Sequence, residues 1–163
     1  IRSLCVHGKG PGGKYDNIRV GMNSRLDAMQ AAVLLPKLKA LGDYEIDARQ
    51  QVAGRYNKAF AGKLTTPWIA EGCVSAWAQY ALLAKDTAQR DQIVAHLKEA
   101  GIPNMIYYPT PQHALPVFRA EPHYGETYRN ADDYCARTFS LPMHPYLEEA
   151  EQQQIIDAVL EAL

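Results

Sequence analysis

Apolar residues recur at helical spacing in the first part of the chain. From about Ser24 they follow one another three or four positions apart, which predicts an amphipathic helix, and Pro36 within this run predicts a kink or a break. A second helix is predicted over residues 44–61, and the two segments together suggest a long helical connector between two domains. The apolar positions of the first helix are Leu26, Met29, Val33, Leu34, Leu38 and Leu41.

Beyond residue 76 the pattern changes to short strands alternating with helices. Period-two alternation of side chains predicts strands, and apolar residues three or four positions apart predict helices. This order of elements predicts a small α/β sandwich, in which helices cover a sheet. The predicted strands are residues 77–84, 102–108 and 139–141, and the predicted helices are residues 86–101, 127–137 and 148–163.

Composition narrows the possible partners and the compartment. The net charge of −1 gives no basic excess for nucleic acid, and we find no run of about 18 apolar residues that could span a membrane. Three scattered cysteines without C-x-x-C spacing predict neither a metal site nor a disulfide framework, and they favour a cytoplasmic protein. The first residues resemble a helix already under way, so we expect the chain to belong to a longer protein.

The segment that follows Gly21 carries the strongest chemical signal. Ser24 and Asp27 have nearly the spacing of a capping box, which predicts a helix that begins near Ser24. The free N–H groups at a helix N-terminus suit an anion, and Asn23 and Arg25 could add an amide donor and a guanidinium. The pattern indicates a phosphate or carboxylate site. The alternative is an ordinary capped helix with a surface arginine.

A second polar cluster lies where the predicted strand 102–108 ends. Two prolines make the following loop extended and stiff, so it can hold polar groups towards a ligand. The hydroxyls of Tyr107 and Tyr108 suit sugar or phosphate oxygens, and His113 could donate or transfer a proton. The alternative is an edge loop in which the tyrosine rings pack against the core and His113 is solvated.

Four short motifs occur in order along the whole chain. They are the helix end and turn of residues 1–8, G-x-N-S-R-L-D-x-x-Q-A-A-V-L from Gly21, I-P…Y-Y-P-x-P-x-H from Ile102, and S-L-P-M-H-P from Ser140. Together they resemble the C-terminal part of the DegT/DnrJ/EryC1/StrS family. The members of this family are sugar aminotransferases of fold type I that depend on pyridoxal 5'-phosphate (PLP).

The resemblance implies an α/β fold with a defined domain plan. We expect the C-terminal part of a fold type I PLP-dependent transferase, with a long kinked connector helix followed by a small α/β sandwich domain. Residues 1–42 would be the remnant of the large PLP-binding domain and the start of the connector. Residues 43–163 would form the small domain.

The resemblance also implies roles for individual residues. Asn23 matches the residue that reaches the cofactor phosphate in the partner subunit's site. Arg25 matches a residue that binds the anionic part of a sugar nucleotide. Tyr107 and Tyr108 match loop residues that contact this substrate, and His113 matches a histidine on the substrate side.

The catalytic residues of such enzymes lie upstream of the matching part. Neither Lys9 nor Lys14 occupies the position of the Schiff-base lysine, so we expect no catalytic residue in this chain and no transamination by the chain alone. The intact protein would be a homodimer with shared active sites that moves an amino group from glutamate to a keto-sugar nucleotide. The alternatives are a dehydratase of the same family, with histidine in place of the lysine, or a non-catalytic dimerisation or regulatory module.

Overall fold

The N-terminal unit, Ile1–Asp43, consists of a looped segment followed by a helix. The computed structural model describes residues 1–13 and 15–163, so Lys14 lies outside the described residues. Helix α1 spans Ala28–Ala40 and continues past Pro36, so the proline does not end the helix. The helix is followed directly by a π-helical turn at Leu41–Glu45.

Helix α1 begins four residues later than the sequence pattern predicts. The N–H of Ser24 donates to the carbonyl of Cys5 at 3.0 Å, in a backbone pairing with the start of the chain. This pairing keeps Ser24 outside the helix. Asp27 is the N-cap instead, because its side chain accepts from the N–H of Gln30 at 2.8 Å. The predicted capping box of Ser24 and Asp27 is therefore wrong.

The apolar stripe of α1 is exposed. In the part of the chain that the structure describes, none of the side chains of this helix is buried, and Met29 is 80% exposed. Each apolar position is ordinary on its own, but together they make a contiguous apolar face. Among the described residues, no helix is long and apolar enough to cross a membrane.

The C-terminal unit, Tyr44–Leu163, packs helices against a two-stranded antiparallel sheet. In this sheet Tyr80 lies opposite Leu141 and Leu83 lies opposite Thr138. The predicted order of strands and helices is confirmed, with one strand fewer. The elements are α2 (Ile46–Phe60), β1 (Tyr80–Leu83), α3 (Thr87–Glu99), α4 (Arg129–Arg137), β2 (Thr138–Leu141) and α5 (Glu149–Glu161), with 3-10 turns at Gln112–Ala114 and Pro116–Phe118.

The predicted strand over residues 102–108 is reduced to a single bridge. Met105 donates its N–H to the carbonyl of Ser140 at 3.3 Å and accepts from the N–H of Ser140 at 2.7 Å. Two residues earlier, Pro103 has no N–H to continue the ladder. The prediction of a full strand is therefore wrong, although the segment does lie along the edge of β2.

An aromatic cluster from α2 and β1 occupies the centre of the core. The ring centroid of Tyr56 lies 5.8 Å from that of Phe60 and 4.8 Å from that of Tyr80. Tyr56 donates its hydroxyl to the carbonyl of Pro142 at 3.1 Å, and Tyr80 donates to Oδ1 of Asn57 at 2.6 Å. Burial raises the pKa of both phenols, so they remain neutral donors.

We expect Tyr56→Phe to lower the free energy of unfolding by about 1–2 kcal/mol, because it leaves the carbonyl of Pro142 without this donor. Urea denaturation followed by circular dichroism measures the change. Tyr134→Phe is the matched control, since its side chain is 41% exposed on α4, and we expect a loss below about 0.5 kcal/mol. Equal losses for the two variants would contradict the prediction.

Candidate functional site

Asn23 and Arg25 form an exposed pair just before α1. Nε of Arg25 donates to Oδ1 of Asn23 at 2.9 Å. Because Oδ1 accepts this bond, the side-chain NH2 of Asn23 is the end that can donate to a ligand. The guanidinium has further donors on its two terminal nitrogens. An exposed set of donors with one positive charge fits an anion such as phosphate or carboxylate.

The N-terminus of α1 contributes less to this site than the sequence pattern predicts. The N–H of Gln30 is already bonded to the carboxylate of Asp27, which places a negative charge at this end of the helix. An incoming anion would be repelled by that carboxylate. The structure therefore favours the side chains of Asn23 and Arg25, rather than the helix N-terminus, as the groups that would hold an anion.

Close backbone packing supports the pair. Asn23 forms an antiparallel β-bridge with Val6. A Cβ atom on Gly21 would lie 2.2 Å from the backbone nitrogen of Gly8, and a Cβ atom on Gly8 would lie 1.8 Å from the carbonyl oxygen of Arg19. Gly8 also has a φ of +76°, which L side chains rarely adopt. Only glycine fits at both positions, so these glycines determine the path of the segment that carries Asn23.

Tyr107 and Tyr108 lie side by side in the C-terminal unit. Their rings meet edge to face, with centroids 5.7 Å apart and an interplanar angle of 71°. Tyr108 is 68% exposed, so it does not pack into the core. Tyr107 is half-buried and lines a cavity of about 280 Å³ together with Gln79 and Asn104. This arrangement gives a ligand one exposed phenol and one at the edge of a cavity.

His113 contacts residues that the sequence pattern did not indicate. Its Nε2 lies 3.0 Å from Oδ1 of Asp132, and its ring packs on Tyr128 with centroids 4.8 Å apart. The side chain of His113 is only 14% exposed, so the alternative of a solvated histidine is wrong. No local spacing could indicate Asp132 or Tyr128, because these contacts join segments far apart in the sequence.

Glu126 and His123 add further polar contacts around Tyr128. Tyr128 donates its hydroxyl to Oε2 of Glu126 at 2.8 Å, and Nδ1 of His123 lies 3.0 Å from Oε1. The hydrogen bond with His123, and then that with Tyr128, lowers the pKa of the Glu126 carboxyl. The same carboxylate raises the pKa of the Tyr128 phenol. At neutral pH Glu126 is therefore charged and Tyr128 is a neutral donor.

Comparison of the sequence with known proteins identifies the family of the chain. The model of the DegT/DnrJ/EryC1/StrS aminotransferase family matches residues 1–160. The chain is 38% identical, over 160 residues, to UDP-2-acetamido-2-deoxy-3-oxo-D-glucuronate aminotransferase of Pseudomonas aeruginosa, covering 98% of this chain and 42% of the relative. It is 36% identical to a pleiotropic regulatory protein of Geobacillus stearothermophilus, with the same coverage. The chain belongs to the DegT/DnrJ/EryC1/StrS aminotransferase family.

Solved structures confirm the fold. A DegT DnrJ EryC1 StrS aminotransferase from Brucella abortus superimposes with a TM-score of 0.84 at 43% identity, over 98% of this chain and 42% of that protein. The α/β fold expected from the resemblance is confirmed. DegT-family aminotransferases depend on PLP, and solved structures with this fold include PLP and amine forms of the cofactor. The chain spans about two fifths of the length of these relatives.

We expect Gly21→Ala to loosen the backbone around Asn23, because the added Cβ would collide with the backbone of Gly8. Hydrogen exchange of peptides covering residues 1–26 measures this loosening, and we expect about tenfold faster exchange. Gly42→Ala is the control, because a Cβ there has nothing within 4 Å. Unchanged exchange in Gly21→Ala would contradict this account of the site.

Proposed function

We propose that this chain forms the C-terminal part of a PLP-dependent aminotransferase that moves an amino group from glutamate to a keto-sugar nucleotide. The observation that carries the proposal is the hydrogen-bonded pair of Asn23 and Arg25, an exposed donor set suited to an anion. Residues 1–42 would complete the large PLP-binding domain and begin the connector. Residues 43–163 would form the small domain.

The donor chemistry of the pair fits the phosphate of the cofactor. With Oδ1 of Asn23 engaged by Arg25, the amide NH2 is left to donate to a phosphate oxygen. We assign this contact to Asn23. When bound, PLP supplies the electron sink for amino transfer. Because no residue of this chain takes the position of the Schiff-base lysine, its own residues bind and orient rather than move protons at the reacting carbon.

Arg25 in the N-terminal unit and the two tyrosines in the C-terminal unit each have the chemistry to bind part of a sugar nucleotide. A guanidinium is suited to two oxygens of a diphosphate at once, and phenols donate to sugar or phosphate oxygens. The Pseudomonas aeruginosa relative is named for a UDP-linked 3-oxo sugar, which supports a keto-sugar nucleotide as the substrate class. His113 lies on the same loop as Tyr107 and Tyr108 and is part of the substrate wall in this proposal.

The intact protein would work as a homodimer with active sites shared between subunits. In this arrangement Asn23 contributes to the phosphate site of the partner subunit. Three scattered cysteines without a disulfide framework favour a reducing compartment, and we therefore expect a cytoplasmic enzyme of amino-sugar biosynthesis.

Two other functions would use the same fold. A dehydratase of this family would carry histidine in place of the upstream lysine, so the residue at that upstream position separates it from an aminotransferase. A regulatory module is favoured by one observation, the name of the Geobacillus stearothermophilus relative. Cofactor absorbance and amino transfer in the intact protein would exclude the regulatory module as the sole function.

We expect Arg25→Ala in the intact protein to lower kcat/KM for the sugar nucleotide by about 10- to 100-fold, because a charged, forked donor is lost. The half-reaction with glutamate should change little, and cofactor absorbance should persist. Steady-state and single-turnover kinetics measure both effects. Arg19→Ala, which removes the same charge from another exposed position of this unit, is the control. Unchanged sugar-nucleotide kinetics in Arg25→Ala would show that the assignment is wrong.

Mixing two inactive variants tests whether Asn23 serves the partner's site. One variant carries Asn23→Ala, and the other lacks the upstream lysine that membership of the family implies. In a mixed dimer one site would then have both groups intact, so a 1:1 mixture should recover activity in about a quarter of the sites. No recovery, with mixed dimers shown by native mass spectrometry, would place Asn23 in its own subunit's site.

A further inference from the structure

The imidazole of His113 has contacts at one ring nitrogen, Nε2, and on one face of the ring. Nε2 lies 3.0 Å from Oδ1 of Asp132, and the ring packs on Tyr128. The backbone carbonyl of His113 also accepts the N–H of Gly125 at 3.1 Å. Three independent contacts therefore fix the short 3-10 turn Gln112–Ala114, which ends the loop that begins at Tyr107.

Asp132 is itself fixed at the start of α4. Its Oδ2 accepts the backbone N–H of Tyr128 at 3.0 Å, and its own N–H donates to the carbonyl of Tyr128 at 3.0 Å. One carboxylate oxygen thus binds the first turn of the helix, and the other faces His113. A carboxylate held in this way presents its second oxygen without a large loss of side-chain entropy.

A short, stiff loop connects His113 to the two tyrosines. Only four residues separate Tyr108 from His113, and two of them, Pro109 and Pro111, have a fixed φ. A short loop with two prolines has few conformations once its end is fixed. The position of His113 therefore limits where Tyr107 and Tyr108 can lie.

We propose that Asp132 is a positioning residue, which acts through His113 to hold the loop Tyr107–His113 in the conformation that presents the two tyrosines to the sugar nucleotide. We call the contact between His113 and Asp132 the clasp. The role of the tyrosines in this inference rests on the proposed function, whereas the anchoring of the loop does not. A loop held in place before the substrate arrives avoids an ordering cost when it binds.

Hydrogen exchange of the intact protein without substrate tests the clasp directly. Asp132→Asn keeps an oxygen that can accept from Tyr128 and turns an uncharged NH2 towards His113, so it weakens the contact. His113→Phe keeps a ring that can pack on Tyr128 but removes Nε2, and the contact with it. We expect both variants to raise the exchange rate of peptides covering residues 105–116 by about two- to fivefold, a size set by the partial exposure of the pair. Peptides of α4 should exchange as before in His113→Phe.

The matched control is the variant Asp133→Asn, which changes the residue next to Asp132 on α4. Asp133 pairs with Arg137 on the same helix, so the variant changes the same charge without touching the loop. The double variant Asp132→Asn/His113→Phe should exchange no faster than His113→Phe alone, because both substitutions act on the same contact. Unchanged loop exchange in both single variants, or the same increase in Asp133→Asn, would overturn the clasp.

Kinetics then separate the clasp from the proposed function. In an active aminotransferase, Asp132→Asn should raise KM for the sugar nucleotide by about two- to fivefold, while the glutamate half-reaction stays unchanged. Faster loop exchange with unchanged KM would overturn the positioning role. Faster loop exchange in a protein that shows no amino transfer would keep the clasp as the anchor of the loop and overturn the proposed function.

Discussion

The small sheet of the C-terminal unit depends on the aromatic cluster beside it. An isolated pair of strands is at best marginally stable in water, so β1 and β2 need an apolar layer. Tyr56 supplies part of that layer and also bonds the carbonyl of Pro142, the residue that follows β2. Its position therefore constrains both the packing of the sheet and the exit of the chain from it. The bridge between Met105 and Ser140 extends the same constraint to the segment that leads into Tyr107.

Local patterns predicted the elements whose stability is local. The order of strands and helices could be predicted, because helical periodicity and strand alternation are set by neighbours in the sequence. The wrong predictions concern segments whose backbone pairs with residues distant in the sequence. Ser24 pairs with Cys5 instead of starting a helix, and the pairing of Met105 with Ser140 stops at a single bridge. Neither partner can be identified from a window of nearby residues.

The candidate functional residues also include some that the sequence indicates and one that it does not. The sequence pattern places Asn23 and Arg25 at a helix start, whereas in the structure both residues precede the helix. On an extended segment residues two apart lie on the same side, whereas in a helix they point in different directions. The predicted pair is therefore present for a different physical reason. Asp132 could not be identified from the sequence, because its contact with His113 depends on how two distant segments fold together.

The two polar clusters are held in the same physical way, although they lie in different units. Each includes exposed side chains, which apolar packing alone cannot hold in one conformation. In the first, glycines let the backbone pair closely enough to fix Asn23. In the second, prolines stiffen a loop whose end is bonded through His113. A ligand would meet donors already in place, so more of its interaction energy would remain for affinity and orientation.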